Sequence, residues 1–142
     1  DGGAGDTGEL VSGVRALKER YGFAADTVEA IGDIVRTGER LLDSDPEADV
    51  DEAARIAEVG DLMNFNHGLL ESLGVSSRSL DSMVWAAREA GAHGAKLTGA
   101  GGGGCIVALD PTPETLTALR FTPGCEEAFR AELATDGVRR LE

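Results

Sequence analysis

The sequence predicts an α+β fold in which helices pack on one face of a small antiparallel sheet. Three observations predict it: four segments with helical apolar spacing come first, two short extended segments follow, and a run of glycines joins those two. Helices grouped before strands are typical of α+β folds rather than of alternating α/β folds. With 142 residues, 42% of them apolar, the chain is expected to form one domain over residues 1–142.

The four helices have apolar residues three or four positions apart. Acids three residues after the expected starts, Glu9 and Glu29, suit capping boxes, and Gly74 and Gly91 suit the ends of the third and fourth helices. The expected helices are residues 6–21, 26–43, 50–73 and 79–90. Since only four residues are Phe, we expect a core of Leu, Val, Ile and Ala.

The extended segments occupy residues 95–98 and 105–109, and the second, a continuous apolar run, predicts a buried central strand. Cys105 is expected to pack there as a small apolar residue. Thr112-Pro113 suits the start of a fifth helix. Residues 129–133 alternate as in a half-exposed strand, with a hairpin turn expected at Asp136-Gly137.

The charge excludes one class of partner. There are 26 acidic and 13 basic residues, so the net charge of −13 opposes nucleic-acid binding. The acids are spread along the helices, which together with the scarcity of lysine favours a solvated surface suited to a cytosol with high salt, the alternative being an ordinary acidic protein. The acids that indicate this are Glu9, Glu19, Glu29, Glu39, Glu58 and Glu89.

No stretch approaches the roughly 18 to 20 apolar residues of a membrane span, and no signal peptide is evident, so neither a membrane partner nor secretion is expected. Cys105 and Cys125 lack metal-ligand spacing, which predicts free thiols, no metal site and a cytoplasmic location. The chain begins at Asp1 rather than Met, as expected of a processed protein or a piece of a longer one.

Five glycines fill six positions in the glycine run, residues 99–104, where backbone N–H groups can approach an anion. A dinucleotide fingerprint is rejected because a strand follows the run, and the phosphate loop of P-loop NTPases is rejected because Gly-Lys-Ser/Thr is absent. A flexible hairpin connection needs only two or three glycines, so the run favours function.

The segment KLTGAGGGGC, residues 96–105, resembles the third conserved motif of the GHMP kinase superfamily, and most closely that of the mevalonate kinases. The resemblance extends through residues 62–70, 73–75 and 86–92, covers most of residues 1–110, and is only general after Asp110. It implies a ferredoxin-like C-terminal domain, and ATP-dependent, Mg²⁺-dependent phosphorylation of the 5-hydroxyl of mevalonate. It also implies that the phosphate loop and the catalytic Asp and Lys belong to an N-terminal domain, so that this chain alone is inactive and holds no catalytic residue.

Carried over from that family, the glycine run closes the nucleotide-phosphate site. The positions implied are Thr98, Gly99, Ala100, Gly101, Gly102 and Gly103. Asn66, His67 and Lys96 are candidate cleft-lining residues. The alternatives are a structural amide for Asn66, a boundary histidine with a backbone partner for His67, and a strand lysine pointing to solvent for Lys96. Asn64 is expected on the far side of its helix.

Two other functions stay open. One is a related kinase acting on phosphomevalonate, homoserine or a sugar. The other is a stand-alone α+β regulatory module whose glycine run binds a small anion. The expected partners are the N-terminal domain and a small-molecule alcohol, and the sequence leaves the oligomeric state open, a homodimer included.

Overall fold

The computed structural model describes residues 7–43, 51–99 and 104–133, which form five helices and one two-stranded antiparallel sheet. The elements in chain order are α1 (Thr7–Arg20), α2 (Gly22–Leu42), α3 (Glu52–Ser72), α4 (Arg78–Glu89), β1 (Gly94–Thr98), β2 (Cys105–Leu109) and α5 (Pro113–Phe121). The predicted α+β class is confirmed, with the strands at or within one residue of their expected positions.

Capping side chains and turn glycines lie at the ends of three helices, and those at Thr112, Gly74 and Gly91 were predicted from the sequence. Asp51 caps α3 by accepting the N–H of Ala53, and Ser77 caps α4 by accepting the N–H of Leu80. Thr112 and Thr115 form a capping box around Pro113 at the start of α5. After α3 and α4 the chain turns at glycines in the left-handed region, Gly74 with φ 76° and Gly91 with φ 100°.

The expected start of α2 at Asp26 is wrong, because the helix begins four residues earlier, at Gly22. Tyr21 alone separates α1 from α2, and its side chain makes no capping bond. The Tyr21 ring instead stacks on Phe23 at 5.0 Å between centroids. Because the junction is a single residue, the sequence has no cluster of turn residues between α1 and α2. The signal for a helix start was instead the pair Asp26 and Glu29, further along the chain.

α4 covers one face of the sheet and supplies half of the buried cluster there. Ala95 pairs with Ala108 and Leu97 with Ile106, so these four side chains share a face. The buried cluster on that face consists of Leu80, Met83, Val84, Ala87, Ala92, Ala95, Leu97 and Leu119. As predicted it consists mostly of Leu, Val and Ala, although it holds Met83 and no Ile, and all four Phe residues of the chain are exposed.

The prediction of a buried central strand at residues 105–109 is wrong. β2 pairs only with β1 among the described residues, and its other face is open, with Val107 45% exposed. Cys105 is likewise exposed and does not pack as a small apolar residue. An apolar run indicates a strand, but its burial depends on elements that cover both faces.

The third strand expected at residues 129–133 does not form. These residues have no regular secondary structure, and Phe129 and Leu133 are 72% and 96% exposed. Alternating side chains cannot make a strand without a neighbouring strand, and none of the described segments provides one there. The turn expected at Asp136-Gly137 lies outside the described residues.

The acidic surface is confirmed for the six glutamates that indicated it, all of which are exposed. Within the three described ranges, no helix combines the length and the apolar character needed to cross a membrane.

α3 runs along the edge of β1 in backbone contact with it. A Cβ atom on Gly60 would lie 2.4 Å from the carbonyl oxygen of His93, and one on Gly94 would lie 2.5 Å from the carbonyl oxygen of Gly60. Both positions therefore require glycine, because any side chain would push the helix away from the strand.

We expect Gly60→Ala to destabilise the protein by roughly 1–3 kcal/mol, because the added methyl group meets backbone atoms that cannot move aside. Gly68→Ala is the matched control on the same helix, since no atom lies within 4 Å of its added methyl group. That change should stabilise by about 0.5–1 kcal/mol through helix propensity. Urea unfolding measures both, and shifts in the same direction would contradict the close approach.

Candidate functional site

Two backbone N–H groups of β1 face α3 and are bonded by its side chains. The N–H of Ala95 donates to Oδ1 of Asn64 at 3.0 Å, and the N–H of Leu97 donates to Nδ1 of His67 at 3.1 Å. At this edge Asn64 and His67 therefore accept the two N–H groups that a neighbouring strand would otherwise accept. His67 has the backbone partner that one reading of the sequence gave it, whereas the expectation that Asn64 lies on the far side of the helix is wrong.

Two carbonyl groups of the same strand accept from long basic side chains. Nη2 of Arg88 donates to the carbonyl of Ala95 at 2.8 Å, and Nζ of Lys96 donates to the carbonyl of Leu97 at 2.6 Å. Lys96 is half-buried, and burial lowers the pKa of its ammonium group. Its side chain thus folds back onto the strand instead of extending into solvent.

His67 is 3% exposed and both of its ring nitrogens are engaged. Because Nδ1 accepts the Leu97 N–H, the ring proton belongs on Nε2, which lies 3.0 Å from Oδ1 of Asp81. Burial is the largest cause of the lowered pKa of His67, and it outweighs the bond to Asp81, which raises it. The ring is therefore neutral at pH 7.

Glu71 lies beside this pair, so that ligand atoms of His67, Glu71 and Asp81 fall within 4.8 Å of one another. A cluster of these ligand types at this spacing is a candidate metal site. However, Nδ1 of His67 holds a backbone N–H, and Asp81 accepts from both His67 Nε2 and Ser76 Oγ. The arrangement is a hydrogen-bond network that positions β1.

The glycine run leaves the sheet directly after this network. Thr98 pairs with Cys105 as the last pair of the ladder, and Gly99 follows with φ 76°. A Cβ atom on Gly99 would meet nothing within 4 Å, so glycine is needed here for its backbone conformation. Ala100, Gly101, Gly102 and Gly103 lie outside the described residues.

A groove of about 600 Å³ opens beside Gly99, and we call it the α1–α2 groove. Its walls are mostly apolar and come from the two N-terminal helices, the turn after α3 and the start of the glycine run. The lining residues are Thr7, Leu10, Val11, Val14, Arg15, Lys18, Val28, Val75 and Gly99. An apolar groove with two cations suits a small anion that has an apolar part.

Among the described candidates from the sequence, Gly99 lines this groove, whereas Thr98, Asn66, His67 and Lys96 do not. Thr98 is exposed at the end of β1, and Asn66 is buried in α3 with 7% exposure. His67 and Lys96 act on β1, so they are connected to the glycine run through the strand that carries it.

Sequence reasoning missed Asn64, Arg15 and Lys18. Gly60, Asn64 and His67 stand at i, i+4 and i+7, and this helical stripe of small and polar residues indicates the strand-facing side of α3. Arg15 and Lys18 stand three residues apart in a strongly acidic chain that has only two lysines, which could have drawn attention to them.

Residues 49–121 match the family model described as GHMP kinases C terminal. Among curated proteins, the chain is similar to the mevalonate kinase of Thermococcus gammatolerans, at 40% identity over 139 residues, and to that of Pyrococcus horikoshii, at 44% identity over 141 residues. Each alignment covers 97% of this chain and 40% of the relative. The chain thus spans about two-fifths of the length of these relatives.

A solved structure is similar as well. The crystal structure of L. major mevalonate kinase in complex with R-mevalonate matches with a TM-score of 0.69 and 28% sequence identity. The match covers 87% of this chain and 37% of that chain.

Proposed function

The chain belongs to the GHMP kinase C-terminal family, and from that membership we propose that it is the C-terminal domain, residues 1–142, of a mevalonate kinase. The enzyme would transfer a phosphoryl group from ATP to the 5-hydroxyl of mevalonate. The observation that carries this proposal is the 40–44% identity, over nearly the whole chain, to relatives named mevalonate kinase. The position of Gly99 beside a groove that carries two basic residues supports it on chemical grounds.

The glycine run would hold the phosphates of the nucleotide. Phosphoryl transfer depends on positioning and charge stabilisation more than on covalent chemistry from the protein. Backbone N–H groups of Gly99, Gly101, Gly102 and Gly103, with the neighbouring Thr98 and Ala100, would supply such positioning without a side chain in the way. The open space around the Cα of Gly99 leaves room for a ligand there.

The α1–α2 groove adds charge to this arrangement. Arg15 and Lys18 bring two positive charges to its wall in a chain whose net charge is −13. Both ATP and mevalonate are anions, and local cations are needed for an acidic protein to bind them. We therefore assign Arg15 and Lys18 to the binding of an anionic substrate.

The chemistry that activates the acceptor hydroxyl would come from outside this chain. We propose that an N-terminal domain supplies the catalytic Asp and Lys, as the family resemblance implies, and that this chain alone is inactive. Mg²⁺ favours octahedral oxygen ligands. The cluster of His67, Glu71 and Asp81 does not fit it, because the histidine nitrogens are engaged. We assign no Mg²⁺ ligand here and expect the ion to bind with the phosphates.

We also propose that the protein works in a cytoplasm of high salt. Cys105 is a free, exposed thiol, which suits a reducing compartment. The exposed glutamates repel one another at low ionic strength, and molar salt reduces the Debye length to about 3 Å.

The proposed activity is tested with the full-length protein by ADP release in the presence of ATP, Mg²⁺ and molar KCl. We expect turnover with mevalonate that exceeds turnover with phosphomevalonate, homoserine or galactose. A preference for another alcohol would assign a different kinase of the family. No ADP release with any acceptor, together with tight nucleotide binding by calorimetry, would favour an anion-binding module and contradict the proposal.

Neutralising either cation of the groove should weaken binding of the anionic substrate. For Arg15→Gln and Lys18→Gln we expect KM for ATP or mevalonate to rise about tenfold, the equivalent of about 1.4 kcal/mol, with a smaller effect in high salt. Arg20→Gln is the matched control, since Arg20 lies on the same helix but over the Tyr21 ring, away from the groove. Equal KM values in all three variants would contradict the assignment.

The surface charge predicts a stability that depends on salt. We expect the melting temperature to rise between 0.1 and 2 M KCl as screening reduces repulsion. The triple variant Glu19→Gln/Glu29→Gln/Glu39→Gln removes three exposed charges and should show a smaller rise. A melting temperature that does not respond to KCl would contradict adaptation to high salt.

A further inference from the structure

Gly99, the first residue of the glycine run, has no side chain to anchor it. Its position depends on β1, which ends at the residue before it. The hydrogen bond from Leu97 N–H to His67 Nδ1 ties the strand to α3 two residues before Gly99. Whatever holds Leu97 therefore also holds the start of the run.

Three groups fix the state of the His67 ring. The Leu97 N–H requires a free lone pair on Nδ1, and Oδ1 of Asp81 accepts from Nε2 at 3.0 Å. Oγ of Ser76 donates to the same carboxylate oxygen at 2.5 Å and so holds it in place. The carboxylate thereby selects the one neutral tautomer that can bond to the strand.

A second proton on the ring would break this bond, because Nδ1–H would face the Leu97 N–H. The charged groups around the ring act in both directions: Asp81 and Glu71 raise its pKa, and Arg88 lowers it. Lys96 of β1 faces the Leu97 carbonyl nearby. Burial outweighs the acids, so the pKa lies below its ordinary value of 6.5. The bond is thus present above pH 6.5 and is lost as pH falls through the lowered pKa.

We propose that His67 is a positioning residue for the nucleotide site: its neutral ring, oriented by Asp81, holds Leu97 and thereby fixes Gly99 at the wall of the α1–α2 groove. This inference rests on the proposed function, since it assigns the run to ATP. It gives His67 a role without contact with the substrate.

The decisive comparison is His67→Asn with His67→Leu in the full-length protein. The two side chains have the same branched shape and both lose the bond to Asp81, but Asn keeps an acceptor where Nδ1 stood. We expect KM for ATP to be about tenfold higher in the Leu variant than in the Asn variant, which stays near wild type. KM for the acceptor alcohol should differ less than twofold between them.

The pH profile separates positioning from simple packing. In wild type, KM for ATP should rise as pH falls below 6.5, and this rise should be absent in His67→Asn, whose amide does not titrate. Equal KM values for ATP in the Asn and Leu variants, or the same pH profile in wild type and His67→Asn, would overturn the role of His67 while ADP release by wild type upholds the kinase.

Two measurements need no activity. Amide hydrogen exchange at Leu97 should be about tenfold slower in wild type and His67→Asn than in His67→Leu. Nitrogen NMR of wild type at pH 7.5 should show the His67 proton on Nε2, and a proton on Nδ1 would overturn the inference even if the Leu variant does not fold. If wild type releases no ADP, the proposed function and the link to ATP both fail, and the exchange data still report whether His67 holds the strand.

Discussion

The rest of the structure depends on how the edge of β1 is hydrogen-bonded. A buried N–H group without a partner costs about 1–3 kcal/mol, and β1 turns the N–H groups of Ala95 and Leu97 away from its only described partner strand. Asn64 and His67 satisfy both groups from α3. They reach the strand because Gly60 and Gly94 let the two backbones touch. The glycines and the polar side chains of α3 are thus both needed to give these two N–H groups of β1 hydrogen-bond partners.

The choice of which side of α3 faces β1 also determines where the α1–α2 groove lies. The side of the helix that faces β1 carries small and polar residues, while Leu62 approaches Gly38 of α2. α2 and α1 therefore follow on the side of α3 away from the strand, and α4 covers the sheet face. The α1–α2 groove then opens at the end of β1 where Gly99 begins. The hydrogen bonds of one strand edge and the position of the candidate site are consequences of the same packing.

Charge is distributed in a way that suits binding of an anion by an acidic protein. The glutamates of the helices point to solvent, whereas Arg15 and Lys18 stand at the groove. Arg88 and Lys96 are also basic, but they are partly buried and donate to strand carbonyls. Arg15 and Lys18 are therefore placed where they can contact a ligand. Arg88 and Lys96 instead stabilise the fold.

Features whose signals are local could be predicted from the sequence: the α+β class, β1 and β2, the helix start at Thr112, the turn glycines Gly74 and Gly91, and the glycine run. A cap or a left-handed turn involves residues a few positions apart, so the sequence contains all of the interaction. Three features depend on tertiary packing: Asn64 faces the strand, β2 has an open face, and residues 129–133 form no strand. Burial and strand pairing depend on partners far along the chain, and no local pattern specifies which element will pack against a segment or pair with it.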